Sequence, residues 1–167
     1  FIPIDKMDFN KSEKKILFQS IYYHHERNGL EVSKELVDEI IKKDINSPKA
    51  SSIGRLFDAV AALLGFDDKI TFQGEAAIDL ENISCKDDES FYQYNIFLED
   101  GIYIIDCKPL IKSVVIEAID GIDKELIARR FHNTIIKFTI ELCEILRKEY
   151  NLSSVVLSGG VFQNEIL

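Results

Sequence analysis

Two stretches combine residue types that could do chemistry. The first is Val155-Val156-Leu157-Ser158-Gly159-Gly160-Val161-Phe162-Gln163-Asn164, an apolar β-prone run ending in two glycines. At such a turn backbone N–H groups can converge on an anion, and the missing side chains let a nucleotide approach the main chain. Asn164 falls about one turn into the helix that this pattern opens, where its amide could face the turn. A glycine pair after a strand also serves simply as a tight turn. The second stretch is Ser51-Ser52-Ile53-Gly54-Arg55-Leu56-Phe57-Asp58-Ala59-Val60-Ala61-Ala62-Leu63-Leu64-Gly65. On a helix Gly54 and Asp58 are four apart and share a face. A carboxylate beside a glycine gap can accept hydrogen bonds from ribose hydroxyls or meet a cation. The competing reading makes Asp58 a surface acid paired with Arg55 three residues before it.

The elements that must position these residues can be read from periodicity and turn chemistry. Apolar spacing predicts a helix over 10–27, ended by Asn28-Gly29, and a second over 33–43 with Ser33 as its N-cap. Asn46, Ser47 and Pro48 mark a turn. A helix follows over 53–64, stopped by Gly65. A short extended segment at 70–72 leads through Gln73-Gly74 into a helix over 75–83. Residues 91–98 and 102–105 read as a β-hairpin with Asp100-Gly101 at its turn. Pro109 starts a helix that runs to 118, Gly121 breaks it, and a long helix spans 123–150. Residues 154–157 read as a short buried strand. The expected fold class is therefore α/β and helix-rich, with one hairpin and one short buried strand. We expect a single domain over 1–167, with a helical segment at 1–45 and a nucleotide-binding lobe at 46–167.

Composition excludes several classes. Hydrophobic residues make up 46% and charged residues 29% of the 167, as in a soluble globular protein. A chain of this length buries roughly two-thirds of its unfolded surface without a disulfide or metal. The net charge of −9 argues against nucleic-acid binding, which uses a basic stripe. No apolar run approaches the ~20 residues of a membrane span. Cys85, Cys107 and Cys143 are odd in number and far apart, and no C-x-x-C pair supports a zinc site. This pattern suits a reducing, cytoplasmic setting. Of the three histidines, His24 and His25 sit on a predicted helix beside Glu26, and Phe131-His132 lies on an amphipathic one. There packing or a helix–helix hydrogen bond is a commoner use of histidine than metal ligation.

Taken together, the two stretches resemble the hydrogenase maturation carbamoyltransferase (HypF) family. Its C-terminal domain carries near-identical S-S-x-G-R-L-F-D-A-V-A-A-L-L-G and L-S-G-G-V-F-Q-N motifs. Two more of its elements fall between them: Gly74-Glu75-Ala76-Ala77-Ile78 and Ala128-Arg129-Arg130-Phe131-His132-Asn133. The four matches keep the family's order from Asn46 onward. The resemblance implies a lobe of an actin/sugar-kinase/Hsp70-like (ribonuclease H-like) ATPase fold, with a nucleotide between lobes. It implies transfer of a carbamoyl group from carbamoyl-adenylate, made from carbamoyl phosphate and ATP by a neighbouring domain. The acceptor would be the C-terminal cysteine of a partner maturation protein, on the way to the cyanide ligand of the [NiFe] centre. By matching position, Asp58 would hold the ribose hydroxyls beside Gly54. Ser158, Gly159, Gly160 and Asn164 would form the nucleotide end of the second motif, and Gly74 and Glu75 would line the same pocket.

The sequence also departs from the family pattern. The family holds a divalent metal with a His-x-x-x-His motif upstream of the matched region and a carboxylate from a later Asp-Gly-Gly stretch. This chain has neither, so the expected metal ligands lie outside it. The chain is therefore expected to be a fragment of a larger carbamoyl-transfer domain, inactive alone. Two alternatives differ in class. A tRNA threonylcarbamoyl transferase would carry Gly-Glu-Ala-Phe-Asp-Lys where this chain has Gly54 to Ala59. A non-catalytic nucleotide-binding or protein-interaction module would keep the fold without the metal.

Overall fold

The computed structural model describes Glu39, Lys43 and residues 51–66, 72–85 and 87–167. The expected helix at 10–27 and the extended segment at 70–71 lie outside the described residues. Of the helix expected at 33–43 only Glu39 and Lys43 are described. Their helical bond, Lys43 N–H to the Glu39 carbonyl, is 2.9 Å. Contacts divide the chain into two compact units, Phe1–Asp79 and Leu80–Leu167.

In the first unit α1 spans Ile53–Leu63 and buries Phe57, Val60 and Ala61. These positions, three and four apart, make one apolar face. Its end is fixed by chemistry local to the chain. Gly65 takes φ +80°, its N–H donates to Ala62 O at 3.0 Å and the Phe66 N–H donates to Ala61 O at 2.9 Å. This is the paired-bond glycine cap that satisfies otherwise orphaned carbonyls. Helix α2, Glu75–Ile83, begins after Gly74 at φ +92° and carries the boundary between the units within it.

After the last residues of α2, the second unit continues with an antiparallel hairpin, β1 Asn95–Glu99 and β2 Ile102–Asp106. Its register pairs Glu99 with Ile102 and Phe97 with Ile104. Asp100 and Gly101 both have positive φ, 50° and 78°, the turn whose twist matches that of the strands. Helix α3, Lys108–Ile119, starts with Pro109 in its first turn and ends at Gly121, φ +74°. Helix α4, Lys124–Tyr150, packs against α3 and stops at Asn151 in the left-handed conformation. Leu110, Val114 and Val115 of α3 and Ile127, Ala128, Phe131, Ile135 and Phe138 of α4 are essentially removed from solvent. Each large side chain so buried contributes about 1.5–3 kcal/mol. Two tyrosine hydroxyls tie the hairpin region to carboxylates of α4, Tyr94 to Glu141 at 2.7 Å and Tyr103 to Glu149.

Two expectations are corrected. Residues 154–157 form no strand, and Val155, Val156 and Leu157 are 58%, 88% and 52% exposed. A strand needs a neighbour to bond its backbone. Among the described residues the only sheet is the β1–β2 hairpin. The helix expected after the glycine pair is likewise a single 3-10 turn, Gly160–Gln163.

Candidate functional site

The first turns of α4 organise the second unit. Four consecutive residues, Phe131, His132, Asn133 and Thr134, are buried, three of them polar. Buried polar groups require partners, and each of these has them. Thr134 Oγ1 accepts the Tyr92 N–H at 2.8 Å and donates to Arg130 O at 2.7 Å. Asn133 Nδ2 donates to the carbonyls of Asp88 and Ser90, both at 2.9 Å. Arg130 Nη1 meets Glu117 Oε1 at 2.6 Å, and the other Glu117 oxygen takes the Tyr92 hydroxyl at 2.6 Å. Burial, and then the Glu117 carboxylate, raises the Tyr92 pKa, so that hydroxyl stays a donor. These bonds pin the 88–94 segment to α4 on one side.

On the other side His132 reaches the end of the chain. Its Nδ1 lies 2.7 Å from Ala128 O, which can only accept, so Nδ1 carries a proton. The Ser84 hydroxyl donates to Leu80 O at 2.8 Å and therefore turns lone pairs toward Nδ1 at 3.2 Å. The remaining ring nitrogen, Nε2, stands 3.1 Å from Asn164 Nδ2. Burial pushes the His132 pKa below its ordinary value. Arg129 acts in the same sense, while the Ala128 carbonyl and Glu81 oppose it. Neutral His132 thus accepts a hydrogen bond from the Asn164 amide at Nε2. The Asn164 carbonyl oxygen in turn accepts the N–H groups of Ile166 at 2.9 Å and Leu167 at 3.3 Å. Glu81 completes the anchorage by accepting the Glu165 N–H at 2.8 Å.

The glycine turn preceding Asn164 is shaped by backbone need rather than crowding. Gly159 has φ +98°, and a Cβ built there or at Gly160 would meet nothing within 4 Å. The space a side chain would fill is open, and only glycine reaches that backbone region without strain. Ser158, beside it, is exposed.

The other predicted residues lie in the first unit. Asp58 sits on α1 with its side chain 33% exposed and paired to Arg55 Nη1 at 3.0 Å. This is the surface pair set against the ribose reading, and it occupies one of the two carboxylate oxygens. Gly54 lies one turn earlier on the same helix and is half-buried. The Gly74 carbonyl accepts the Ala77 and Ile78 N–H groups at 3.0 and 3.1 Å, and Glu75 is the first residue of α2. The second unit therefore holds Ser158, Gly159, Gly160 and Asn164, of which Asn164 bonds His132, and the first holds Gly54, Asp58, Gly74 and Glu75. Sequence reasoning missed His132 as part of this arrangement. The only signal was its place in the Ala128-to-Asn133 element. Among the described residues no group of three or more His, Cys, Asp or Glu side chains could hold a metal ion. The described part of the chain therefore offers no fit for the divalent metal that the resemblance implies. Burial, with Asp106 nearby, pushes the Cys107 thiol up to about 11, which makes it unsuited to nucleophilic attack.

With this geometry in hand, comparison with known proteins decides the family. The model of the second subdomain of the Kae1-like domain of carbamoyltransferases matches residues 8–167. The chain belongs to this family. A carbamoyltransferase HypF from Synechocystis is 36% identical over 119 residues, covering 71% of this chain and 15% of the relative. A crystal structure of full-length HypF in its phosphate- and nucleotide-bound form superposes with a TM-score of 0.75 at 37% identity. It covers 92% of this chain and 24% of that one. A tRNA N6-adenosine threonylcarbamoyltransferase from Sulfurihydrogenibium is 29% identical over 125 residues, 70% of this chain and 34% of the relative. The chain thus spans about a seventh of the length of the Synechocystis relative. These matches bear out the resemblance and the helix-rich α/β lobe expected from it.

Proposed function

We propose that this chain is the nucleotide-holding part of a longer carbamoyltransferase that serves [NiFe]-hydrogenase maturation. The observation that carries this reading is the family match over 8–167, within which both chemistry-bearing motifs fall. The substrate is carbamoyl-adenylate, derived from carbamoyl phosphate and ATP in a neighbouring domain. The acceptor is the thiolate of a partner protein's C-terminal cysteine. Sulfur attacks the carbonyl carbon, the bond from that carbon to the phosphate oxygen breaks, and AMP leaves with the electron pair. The mixed anhydride is already activated, so the residues here need only hold and orient it. By the family's motifs Asp58 is assigned to the ribose hydroxyls, with Gly54, Gly74 and Glu75 as further nucleotide residues of the first unit. Ser158, Gly159, Gly160 and Asn164 are those of the second.

The similarity to a threonylcarbamoyltransferase named for tRNA favours a second reading, threonylcarbamoyl transfer. The net charge of −9 and the Arg55 and Ala59 positions weigh against it. The test is carbamoylation of a cysteine-terminated peptide by the full-length protein, supplied with carbamoyl phosphate and ATP and followed by mass. Asp58→Ala should slow transfer about ten- to a hundredfold, the worth of hydrogen bonds to a charged group. An unchanged rate would remove Asp58 from the site, and failure of the unaltered protein to modify the peptide would remove the acceptor class.

A further inference from the structure

The polar atoms of the Asn164 side chain are nearly all taken within the chain itself. Its carbonyl oxygen has two lone pairs, and the N–H groups of Ile166 and Leu167 take both. Its amide nitrogen has two hydrogens, and one is directed to His132 Nε2. One N–H remains. The amide therefore has a donor left to offer a ligand and no acceptor.

Which end of the amide faces the ring is decided by His132. The Ala128 carbonyl fixes the proton on Nδ1, so Nε2 presents a lone pair. A lone pair attracts the NH2 end of the amide and repels its oxygen. The ring cannot turn to offer the other nitrogen without giving up the Ala128 bond inside a fully buried site. The Glu81–Glu165 bond holds the neighbouring residue, so the amide is set on a turn that is itself anchored.

We propose that His132 is a positioning residue that, as a neutral Nδ1–H tautomer, locks Asn164 as a pure hydrogen-bond donor toward an acceptor atom of the adenine nucleotide. This rests on the nucleotide reading of the site. The recognised atom would be an unprotonated oxygen or ring nitrogen, never a hydroxyl or amino hydrogen offered to Asn164.

The test uses ADP as the probe, titrated calorimetrically into the full-length protein. Asn164→Ala should weaken one binding step about tenfold, and that step is the one followed. Asn164→Asp should weaken it further, because it replaces the donor by a negative acceptor. His132→Leu should cost about as much as Asn164→Ala, and the double variant no more than either alone. His132→Gln, which can still present an acceptor to Asn164, should recover most of the affinity. Melting curves identify any variant that fails to fold, and for these the Gln variant carries the test. Additive losses in the double variant would overturn the proposal, since a structural role for His132 would act independently of Asn164. So would Asn164→Asp binding as well as the unaltered protein. An ADP affinity lowered by Asp58→Ala but untouched by Asn164→Ala would sink this proposal and leave the nucleotide reading standing. Indifference to both substitutions would sink the two together.

Discussion

Two apolar runs flank Asn151 and have opposite fates. On its N-terminal side, Phe131, Ile135 and Phe138 of α4 are buried to within 1% of completely. On its C-terminal side, Leu152, Val155, Val156 and Leu157 stand in solvent with no regular backbone pairing. By residue type the second run is as suited to a core as the first. The difference lies in what each finds. The helix satisfies its own backbone and needs only an apolar neighbour, which α3 supplies. An extended segment must find a neighbour for its side chains and another for its N–H and C=O groups. The polar residues make the same point in reverse. His132, Asn133 and Thr134 are buried because each is bonded, although composition alone would put them outside.

The largest effect expected from this contrast is at Phe131. Truncation to alanine removes a fully buried ring from the α4 core, where α3 and α4 constrain collapse. The loss should be about 3–5 kcal/mol in urea unfolding. A loss under about 0.5 kcal/mol, the range of surface changes, would show that this face is not the core.

How much of this was legible in the sequence follows from how local each cause is. The ends of α1 at Gly65, α3 at Gly121 and the hairpin turn at Asp100-Gly101 depend on residues within one turn of themselves, and all were readable. The 75–83 helix was legible to the residue. The Gly159-Gly160 turn was visible as a motif. What could not be read was bonding across distance. The Asn164 amide meets a ring 32 positions away, and Asn133 meets carbonyls 43 and 45 positions away. The expected strand at 154–157 failed for the same reason. Its residue types state what could be buried, but only tertiary structure states what is there to bury it. His132 shows both limits. The sequence allowed a packing or bonding role, and only the geometry named the partner.

A second, smaller effect is expected from pH. Burial lowers the folded-state pKa of His132 from the ordinary 6.5. The folded protein therefore resists protonation that the unfolded chain accepts. The sign follows from linkage: this contribution is full above about pH 6.5 and is lost as pH falls through the lowered folded value. Among the groups facing the ring are Ser84, the Ala128 carbonyl, Asn164, Glu81, Arg129 and the Phe131 ring. Of the charged ones, Glu81 works against the lowered pKa and Arg129 with it. Unfolding curves from pH 7.5 downward should show stability falling below about pH 6.5, less steeply in His132→Gln. Parallel curves for the two proteins would mean that the ring is not buried neutral and that the run of bonded polar residues on α4 is looser than described.

The smallest effect is expected on the other side of the comparison. Val156 is 88% exposed, so replacing one methyl by a hydroxyl in Val156→Thr keeps the branched shape and changes only what the side chain asks of its surroundings. In solvent the hydroxyl bonds water and the change should lie within about 0.5 kcal/mol. In a covered, apolar setting the same hydroxyl would lose its partners at a cost of about 1–3 kcal/mol. The substitution therefore reports on cover rather than on packing volume. A near-neutral result in urea unfolding keeps the two runs apart, one core and one surface. A loss above 1 kcal/mol would mean that Val156 is covered in solution, and that the apolar residues after Asn151 join a core as those before it do.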